Sequence, residues 1–250
     1  GMSLKLHLLS NEPIESYKIN EFKKFKHSKK PNKLTLSSEQ EKSLKEIISN
    51  DEKFRVHVIQ GTTGSGKTIV YFNSLKKKID EGFQGLILLP EIGLTRDFQK
   101  KFLDFFGFEA AIWHSSITKK NKKIIWSGIS TGKIKVIIGA RSSLFLPFLK
   151  LGLIIVDEEH DQSYKQDEGV IYNARDMAIS KASFLNIPIN LVTAVPSLET
   201  FYNIKKGKYL VTRLHKRYMD AKLPNHEIIK VNEGSLKKNF WISQKIIDKK

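Results

Sequence analysis

Short apolar runs alternate with segments of helical periodicity along most of the chain. The strand-like runs are rich in β-branched and aliphatic residues and span 55–60, 85–89, 110–113, 135–138, 151–156 and 189–193. Between them, apolar residues recur every three or four positions. This spacing predicts a helix capped by Ser37 or Ser38 that ends near 49, and helices over 68–79, 96–106, 118–130, 173–186 and 197–206. Strands that alternate with helices indicate an α/β fold, in which a mostly parallel sheet carries helices on both faces.

A glycine-rich stretch joins the first predicted strand to the helix at 68–79. It matches G-x-x-x-x-G-K-[ST] at every fixed position, and its residues are the predicted nucleotide-binding set: Gly61, Thr62, Thr63, Gly64, Ser65, Gly66, Lys67 and Thr68. The glycines allow the backbone N–H groups to turn toward the β- and γ-phosphates at the helix N-terminus. Lys67 would add a positive charge, and the Thr68 hydroxyl would ligate Mg²⁺. Because a strand precedes the motif and a helix follows it, we interpret it as a phosphate loop rather than a glycine-rich turn that binds nothing.

The strand over 151–156 ends in the acidic run Asp157-Glu-Glu-His160. A carboxylate at the C-terminal tip of a parallel strand reaches the cleft in which ligands bind. Asp157 is predicted to hold Mg²⁺ through water, and Glu158 to polarise the attacking water. Acidic pairs at strand ends also occur as solvated turns, but a phosphate loop about 90 residues upstream favours catalysis. His160 extends the run as a further candidate catalytic residue.

Composition narrows the classes of partner. The sequence has 43 Lys and Arg against 26 Asp and Glu, a net charge of +17. Such an excess favours a polyanion such as nucleic acid, although it also fits a well-solvated surface. The absence of cysteine excludes disulfides and thiolate metal sites from these 250 residues. No stretch approaches the ~18 apolar residues of a membrane span, and the start has no secretory signal. We therefore expect a cytoplasmic location and no membrane partner.

Several further motifs resemble those of the PriA family of replication-restart DNA helicases in superfamily 2. They are Leu89-Pro-Glu-Ile-Gly-Leu-Thr95, Ile138-Gly-Ala-Arg-Ser-Ser-Leu-Phe145, the run from Leu151 to Asp161, Ser163-Tyr-Lys-Gln166, Tyr172-Asn-Ala-Arg-Asp176 and Pro196-Ser-Leu-Glu199. The resemblance covers about residues 34–217 and implies a RecA-like first lobe of an ATP-dependent DNA helicase that uses ATP and Mg²⁺. It also implies that Gln40 reads the adenine edge. An amide can both donate to and accept from adenine, but residue type alone favours an ordinary helix-surface glutamine at position 40.

The segment 161–176 resembles the aromatic-rich loop that links DNA contact to ATP hydrolysis in such helicases. Tyr164 and Tyr172 would stack on bases of single-stranded DNA, and the predicted phosphate contacts are Arg141, Lys165 and Arg175. The alternative is a surface loop with two packed tyrosines.

The sequence departs from the family pattern at two places. Thr193-Ala-Val195 replaces a Ser-Ala-Thr triplet that helps to couple hydrolysis to movement of the lobes, and Ile171 replaces a basic residue of the aromatic-rich loop. One hydroxyl group and one DNA contact are therefore in question.

The resemblance implies parts that this sequence lacks: a second lobe with an arginine finger, a cysteine-built zinc site and N-terminal DNA-binding domains. We therefore expect an excised first lobe at 34–217. Residues 1–33 would be a loosely packed linker or a remnant of the upstream DNA-binding region, and 218–250 the start of the linker to the second lobe. Zinc is expected only in the missing part. The implied partners are single-stranded and forked DNA, primosome proteins and the single-stranded-DNA-binding protein. Two alternatives stay open, a non-catalytic nucleotide- and DNA-binding module and a duplex DNA translocase of superfamily 2.

Overall fold

The computed structural model describes residues 22, 25, 30–31, 35–90, 93, 95–167 and 169–216. Its strands in chain order are β1 (Val56–Gly61), β2 (Gln84–Leu88), β3 (Ala111–Trp113), β4 (Val136–Gly139), β5 (Leu151–Val156), β6 (Lys165–Gln166), β7 (Tyr172–Asn173), β8 (Ile189–Thr193) and β9 (Leu210–Leu214). Strands β6 and β7 form a small antiparallel hairpin. The other seven form one sheet in the order β3-β4-β2-β5-β8-β1-β9, and every pairing in it is parallel.

Helices cover both faces of the sheet, which confirms the predicted fold class. They are α1 (Ser38–Ile48), α2 (Lys67–Asp80), α3 (Arg96–Phe106), α4 (Lys119–Ser130), α5 (Ala174–Leu185) and α6 (Leu198–Lys205), with short 3-10 turns at Arg141–Phe145 and Gln162–Tyr164. Helices α1 to α3 contribute to one buried apolar cluster, and α4 and α5 to the other. Central strands are apolar on both sides because they supply both clusters.

The predicted elements are all found, and their ends differ from the predictions by at most one residue. Ser37 is the N-cap of α1, and it forms a capping box with Gln40. Strand β9 was not predicted, and it pairs only with β1 among the described residues. The hairpin was not predicted either, because its two-residue strands are too short to give a period.

Part of the predicted N-terminal linker belongs to the core. Phe22 is 2% exposed and Phe25 is 6% exposed, and both join the cluster under α4. The Lys133 ammonium lies 5.0 Å from the centre of the Phe22 ring. For these two residues the expected loose packing is wrong, because their rings fill the space beside α4. The other residues of 1–33, apart from 30 and 31, and the whole of 218–250 lie outside the described residues.

The topology brings three chain segments to one edge of the sheet. Strand β8 lies between β1 and β5, so the C-terminal ends of these three strands are adjacent. In the register, Gln60 faces Thr193 and Val156 faces Leu191. The phosphate loop after β1, the acidic run after β5 and the turn after β8 therefore meet at the edge where ligands bind in α/β proteins.

Candidate nucleotide-binding site

The phosphate loop has the backbone geometry that anion binding requires. Gly64 and Gly66 have φ angles of 83° and 82°, in the left-handed region that favours glycine. A Cβ atom on Gly66 would also lie 2.2 Å from the Nε2 of Gln40. Gly66 is the N-cap of α2 and provides no side-chain cap, which leaves the positive end of a 14-residue helix open toward the loop.

Lys67 is buried inside the loop. Its ammonium donates hydrogen bonds to the carbonyl oxygens of Gly61 at 2.8 Å and Thr62 at 3.3 Å. These bonds hold the charge at the centre of the loop. The Ser65 hydroxyl, also buried, has no hydrogen-bond partner among the described residues. An unpaired buried hydroxyl beside an ammonium group suits a ligand that brings acceptor oxygens.

Gln40 supports the loop from the end of the first turn of α1. It is 1% exposed. Its Oε1 accepts from the Ser37 N–H at 3.0 Å, and its Nε2 donates to the Ser65 carbonyl at 3.1 Å. This arrangement makes Gln40 a part of the loop's scaffold rather than a helix-surface residue. Contact with adenine stays a prediction, since it requires the amide to turn away from one of these partners.

Asp157 lies across the cleft from Thr68. One carboxylate oxygen accepts a 2.8 Å hydrogen bond from the Tyr71 hydroxyl, and the other accepts from the Glu158 N–H at 3.0 Å. Burial raises the pKa of Asp157 to about 6, and the bond from Tyr71 acts in the opposite direction. This buried phenol thus orients Asp157, one of the two predicted Mg²⁺ ligands.

Glu158 and His160 stand at the mouth of the cleft. Glu158 has φ of 47°, and its side chain is 47% exposed. The Nδ1 of His160 lies 3.8 Å from the Glu158 carboxylate and 2.8 Å from the Thr193 hydroxyl oxygen. Because that hydroxyl donates to the Val195 carbonyl at 2.7 Å, the arrangement assigns the proton to Nδ1 of His160. His160 therefore connects the acidic run to the turn after β8.

A cavity of about 600 Å³ joins these groups. It is lined by Thr63, Gly64, Gly66, Lys67, Thr68, Ile69, Phe72, Lys101, Asp104, Phe105, Asp157 and Glu158. Four of the predicted catalytic and metal-binding residues, Lys67, Thr68, Asp157 and Glu158, thus face one space. Backbone donors, one ammonium and hard oxygen ligands fit a magnesium-bound triphosphate.

The predicted DNA-contacting residues divide into two groups. Arg141 donates to the Lys165 carbonyl at 2.6 Å, and the Lys165 side chain is 56% exposed. These two cations lie together beside the hairpin. Tyr172 is half-buried against Phe145, with ring centres 5.8 Å apart. Base stacking by Tyr172 and phosphate contacts by Arg141 and Lys165 stay predictions.

Two of the predictions are wrong for this structure. Tyr164 is 1% exposed, and its hydroxyl lies within hydrogen-bonding distance of the Leu88 and Asp157 carbonyls. It packs beneath the acidic run, where no base can stack on it. Arg175 is 5% exposed and donates to the buried carboxylate of Glu159 at 3.3 Å. Its guanidinium is an internal partner rather than a phosphate contact, because it neutralises a buried charge.

Tyr71 and Glu159 are candidate functional positions that were not predicted from the sequence. Tyr71 follows Lys67 by four residues, so both lie on one side of α2. That spacing could have identified it. Glu159 gives no such indication, because its partners lie 16 or more positions away in the chain.

Known proteins with similar sequences support the resemblance to replication-restart DNA helicases. The sequence model described as DEAD/DEAH box helicase matches residues 37–204. The replication restart protein PriA of Rickettsia typhi is 48% identical over 225 residues, which cover 90% of this chain and 35% of that protein. PriA of Bacillus subtilis is 36% identical over 208 residues, 82% of this chain and 26% of that protein. The chain spans about a third or less of the length of these relatives.

A solved structure supports the fold. The structure of RecG bound to a three-way DNA junction is similar with a TM-score of 0.56 and 23% identity, over 78% of this chain and 25% of that one. This likeness, together with the parallel sheet, confirms the predicted RecA-like fold. Within the part of the chain that the structure describes, no helix is both long and apolar enough to span a membrane.

Proposed function

Because this chain belongs to the DEAD/DEAH box helicase family, we propose that it is the first motor lobe of an ATP-dependent DNA helicase that acts in replication restart. The similarity to PriA proteins supports this choice within the family. In this proposal the lobe binds Mg²⁺-ATP at the phosphate loop and contacts single-stranded and forked DNA beside the hairpin β6–β7. Primosome proteins and the single-stranded-DNA-binding protein are the proposed partners of the whole protein.

The observation that supports ATP chemistry most strongly is the convergence of four residues on one cavity. The Lys67 ammonium would meet the β- and γ-phosphates, while Thr68 and Asp157 would hold the Mg²⁺ ion. When bound, the metal neutralises the charge that develops on the transferred phosphoryl group. Glu158 faces the same cavity with a half-exposed carboxylate, so it would orient and polarise the attacking water.

DNA contact is proposed from the charge beside the hairpin. The Arg141 guanidinium holds the start of β6 through the Lys165 carbonyl. The Lys165 ammonium is exposed, although it also pairs with Asp167 at 3.1 Å. Exposed lysine charge attracts phosphates without fixed geometry, which suits contact that does not depend on sequence. Gln40 is proposed to read adenine after its amide turns from the loop.

ATP turnover by the full-length protein tests the proposal. We expect single-stranded DNA to stimulate turnover, and Glu158→Gln to abolish it while nucleotide affinity is retained, because the amide keeps the shape and removes the base. Residues 1–250 alone should turn over ATP slowly, since an arginine supplied across the cleft contributes about 10³–10⁵-fold in comparable enzymes. In the described part of the lobe, Arg141, Arg175 and Arg213 each donate to the lobe's own groups.

Two results would favour the alternatives. ATP binding by the full-length protein without any turnover would indicate a non-catalytic binding module. Greater stimulation by duplex than by single-stranded DNA would indicate a duplex translocase. Full turnover by the Glu158→Gln variant would assign the base to another residue.

A further inference from the structure

A buried carboxylate next to the proposed base connects three parts of the lobe. Glu159 is 1% exposed and directly follows Glu158 in the turn after β5. It accepts from the Ser197 N–H at 2.8 Å, and from the hydroxyls of Ser197 and Thr200 at 3.0 Å each. The Arg175 guanidinium donates to the same carboxylate at 3.3 Å. The charge is thus neutralised by one cation and satisfied by four donated hydrogen bonds.

These partners belong to different elements. Ser197 caps α6 just after β8, and Thr200 lies in the first turn of α6. Arg175 is the second residue of α5, immediately after the hairpin, and its backbone N–H donates to the Asn173 side chain of β7 at 2.9 Å. Arg175 also donates to the Ser197 hydroxyl at 2.6 Å. A displacement of the hairpin would therefore reach Arg175 within two residues, and Glu159 through one ion pair.

The backbone of Glu158 depends on how Glu159 is held. Glu158 has φ of 47°, a region that is unfavourable for a residue with a Cβ atom. The next N–H, that of Glu159, donates to the Val192 carbonyl of β8 at 3.0 Å. Glu159 is thus fixed through both its backbone and its side chain. This fixation sets the direction in which the Glu158 side chain leaves the turn.

Burial of an ion pair is weak support for a stabilising role, since desolvation offsets much of the attraction. A buried pair does specify one arrangement of the elements that it joins. Here the pair joins the hairpin, the turn of the proposed base and the start of α6. We propose that Glu159 is a positioning residue that couples the state of the hairpin to the orientation of Glu158, a role that rests on the proposed function. DNA engaged at the hairpin changes the pull of Arg175 on Glu159, and Glu159 passes the change to its neighbour.

The test measures ATP turnover by the full-length protein with and without saturating single-stranded DNA. In Glu159→Gln, an amide of the same shape replaces the charge. We expect the ratio of stimulated to unstimulated turnover to fall about tenfold, within the range of coupled sites. The double variant Glu159→Gln/Arg175→Gln should fall no further, because both changes break the same contact.

Asp176→Asn is the matched control. Asp176 also pairs with Arg175, at 2.8 Å, but its side chain is 58% exposed and lies outside the buried network. The ratio of stimulated to unstimulated turnover in Asp176→Asn should stay within about twofold of the parent value, since exposed ion pairs contribute little.

Four outcomes decide the matter. If Glu159→Gln lowers turnover equally with and without DNA, Glu159 has only a structural role and the coupling is overturned. If this variant fails to fold, the ratio of stimulated to unstimulated turnover is measured in Thr200→Val instead. That change removes one of the four donors to Glu159. If the parent protein turns over ATP without any response to DNA, both the proposed function and the coupling are overturned. Normal stimulation in parent and variants alike overturns the coupling alone.

Discussion

His57 should destabilise the folded lobe at acidic pH, and replacing it should remove this contribution to the pH dependence of stability. His57 lies on β1, four residues before the phosphate loop, and is 5% exposed. Neither ring nitrogen has a hydrogen-bond partner within the described residues. Burial lowers the pKa of His57 to about 4, while the nearby carboxylate of Glu46 acts to raise it. The folded lobe therefore holds this ring neutral where the unfolded chain would protonate it.

The sign and size of the change in the free energy of unfolding follow from the linkage between proton binding and folding. As the pH falls below the ordinary value of 6.5, the unfolded chain binds a proton that the folded lobe does not, so the free energy of unfolding decreases until about pH 4. The loss approaches about 3 kcal/mol in full and is about 2 kcal/mol at pH 5. Asp157 opposes it. Its raised pKa, about 6, means that the folded lobe gains stability as the pH falls from 6 toward 3.8.

The two effects nearly cancel in the parent lobe, so the measurement uses Asp157→Asn as its background. Urea unfolding in the presence of a metal chelator gives the free energy at pH 7 and pH 5. We expect Asp157→Asn to lose about 2 kcal/mol between these values and Asp157→Asn/His57→Met to lose much less. His215→Met, at an exposed histidine, is the control for removing any histidine. If Asp157→Asn and Asp157→Asn/His57→Met lose the same free energy of unfolding between pH 7 and pH 5, the role of His57 is refuted.

Three further predictions concern ligands. Lys67→Ala should abolish nucleotide binding measured by calorimetry, because it removes the charge that the Gly61 and Thr62 carbonyls hold in the loop; unchanged affinity would contradict the site. Tyr71→Phe should raise the Mg²⁺ concentration needed for tight nucleotide binding by about tenfold, since a hydrogen bond to a charged group contributes about 1.5–3 kcal/mol. Nucleotide affinity without metal serves as its control, and an unshifted Mg²⁺ titration would exclude the role of Tyr71. Single-stranded DNA binding should be weak and should fall steeply over an about fourfold rise in salt. Affinity that does not change with salt would contradict a lysine-based contact.

The geometry of the candidate nucleotide site was largely predictable because its determinants are local. The phosphate loop needs glycines at fixed spacing, and the acidic run needs only a buried strand before it. Each of the two patterns is complete within a few consecutive residues of the sequence. Their meeting also follows from the fold class, since parallel strands present their C-terminal ends at one edge. Tyr71 was not predicted as a site residue because a tyrosine on an apolar helix face has the sequence pattern of a core residue.

The proposed DNA-contacting face was less predictable because tyrosine and arginine side chains have two uses. Tyrosine and arginine suit bases and phosphates, and they equally suit burial when a partner satisfies the polar end. For Tyr164 the partners are carbonyls at the ends of β2 and β5, and for Arg175 the partner is Glu159. These contacts join positions that are distant in the chain, and no local pattern indicates them. Edge strand β9 was missed for a related reason, since only its pairing with β1 defines it.

The departure at Val195 leaves the path between the acidic run and the turn after β8 in place. The Val195 side chain is 68% exposed, and only its backbone carbonyl takes part by accepting from the Thr193 hydroxyl. Thr193 is the position of the triplet that retains a hydroxyl, and it contacts His160 directly. A second path runs from Glu159 to Ser197 at the start of α6. Both paths begin beside Glu158 and end after β8, so movement of that turn would act on the proposed base from two sides. The Val195 side chain therefore lies outside both paths, which depend on side chains that the sequence retains.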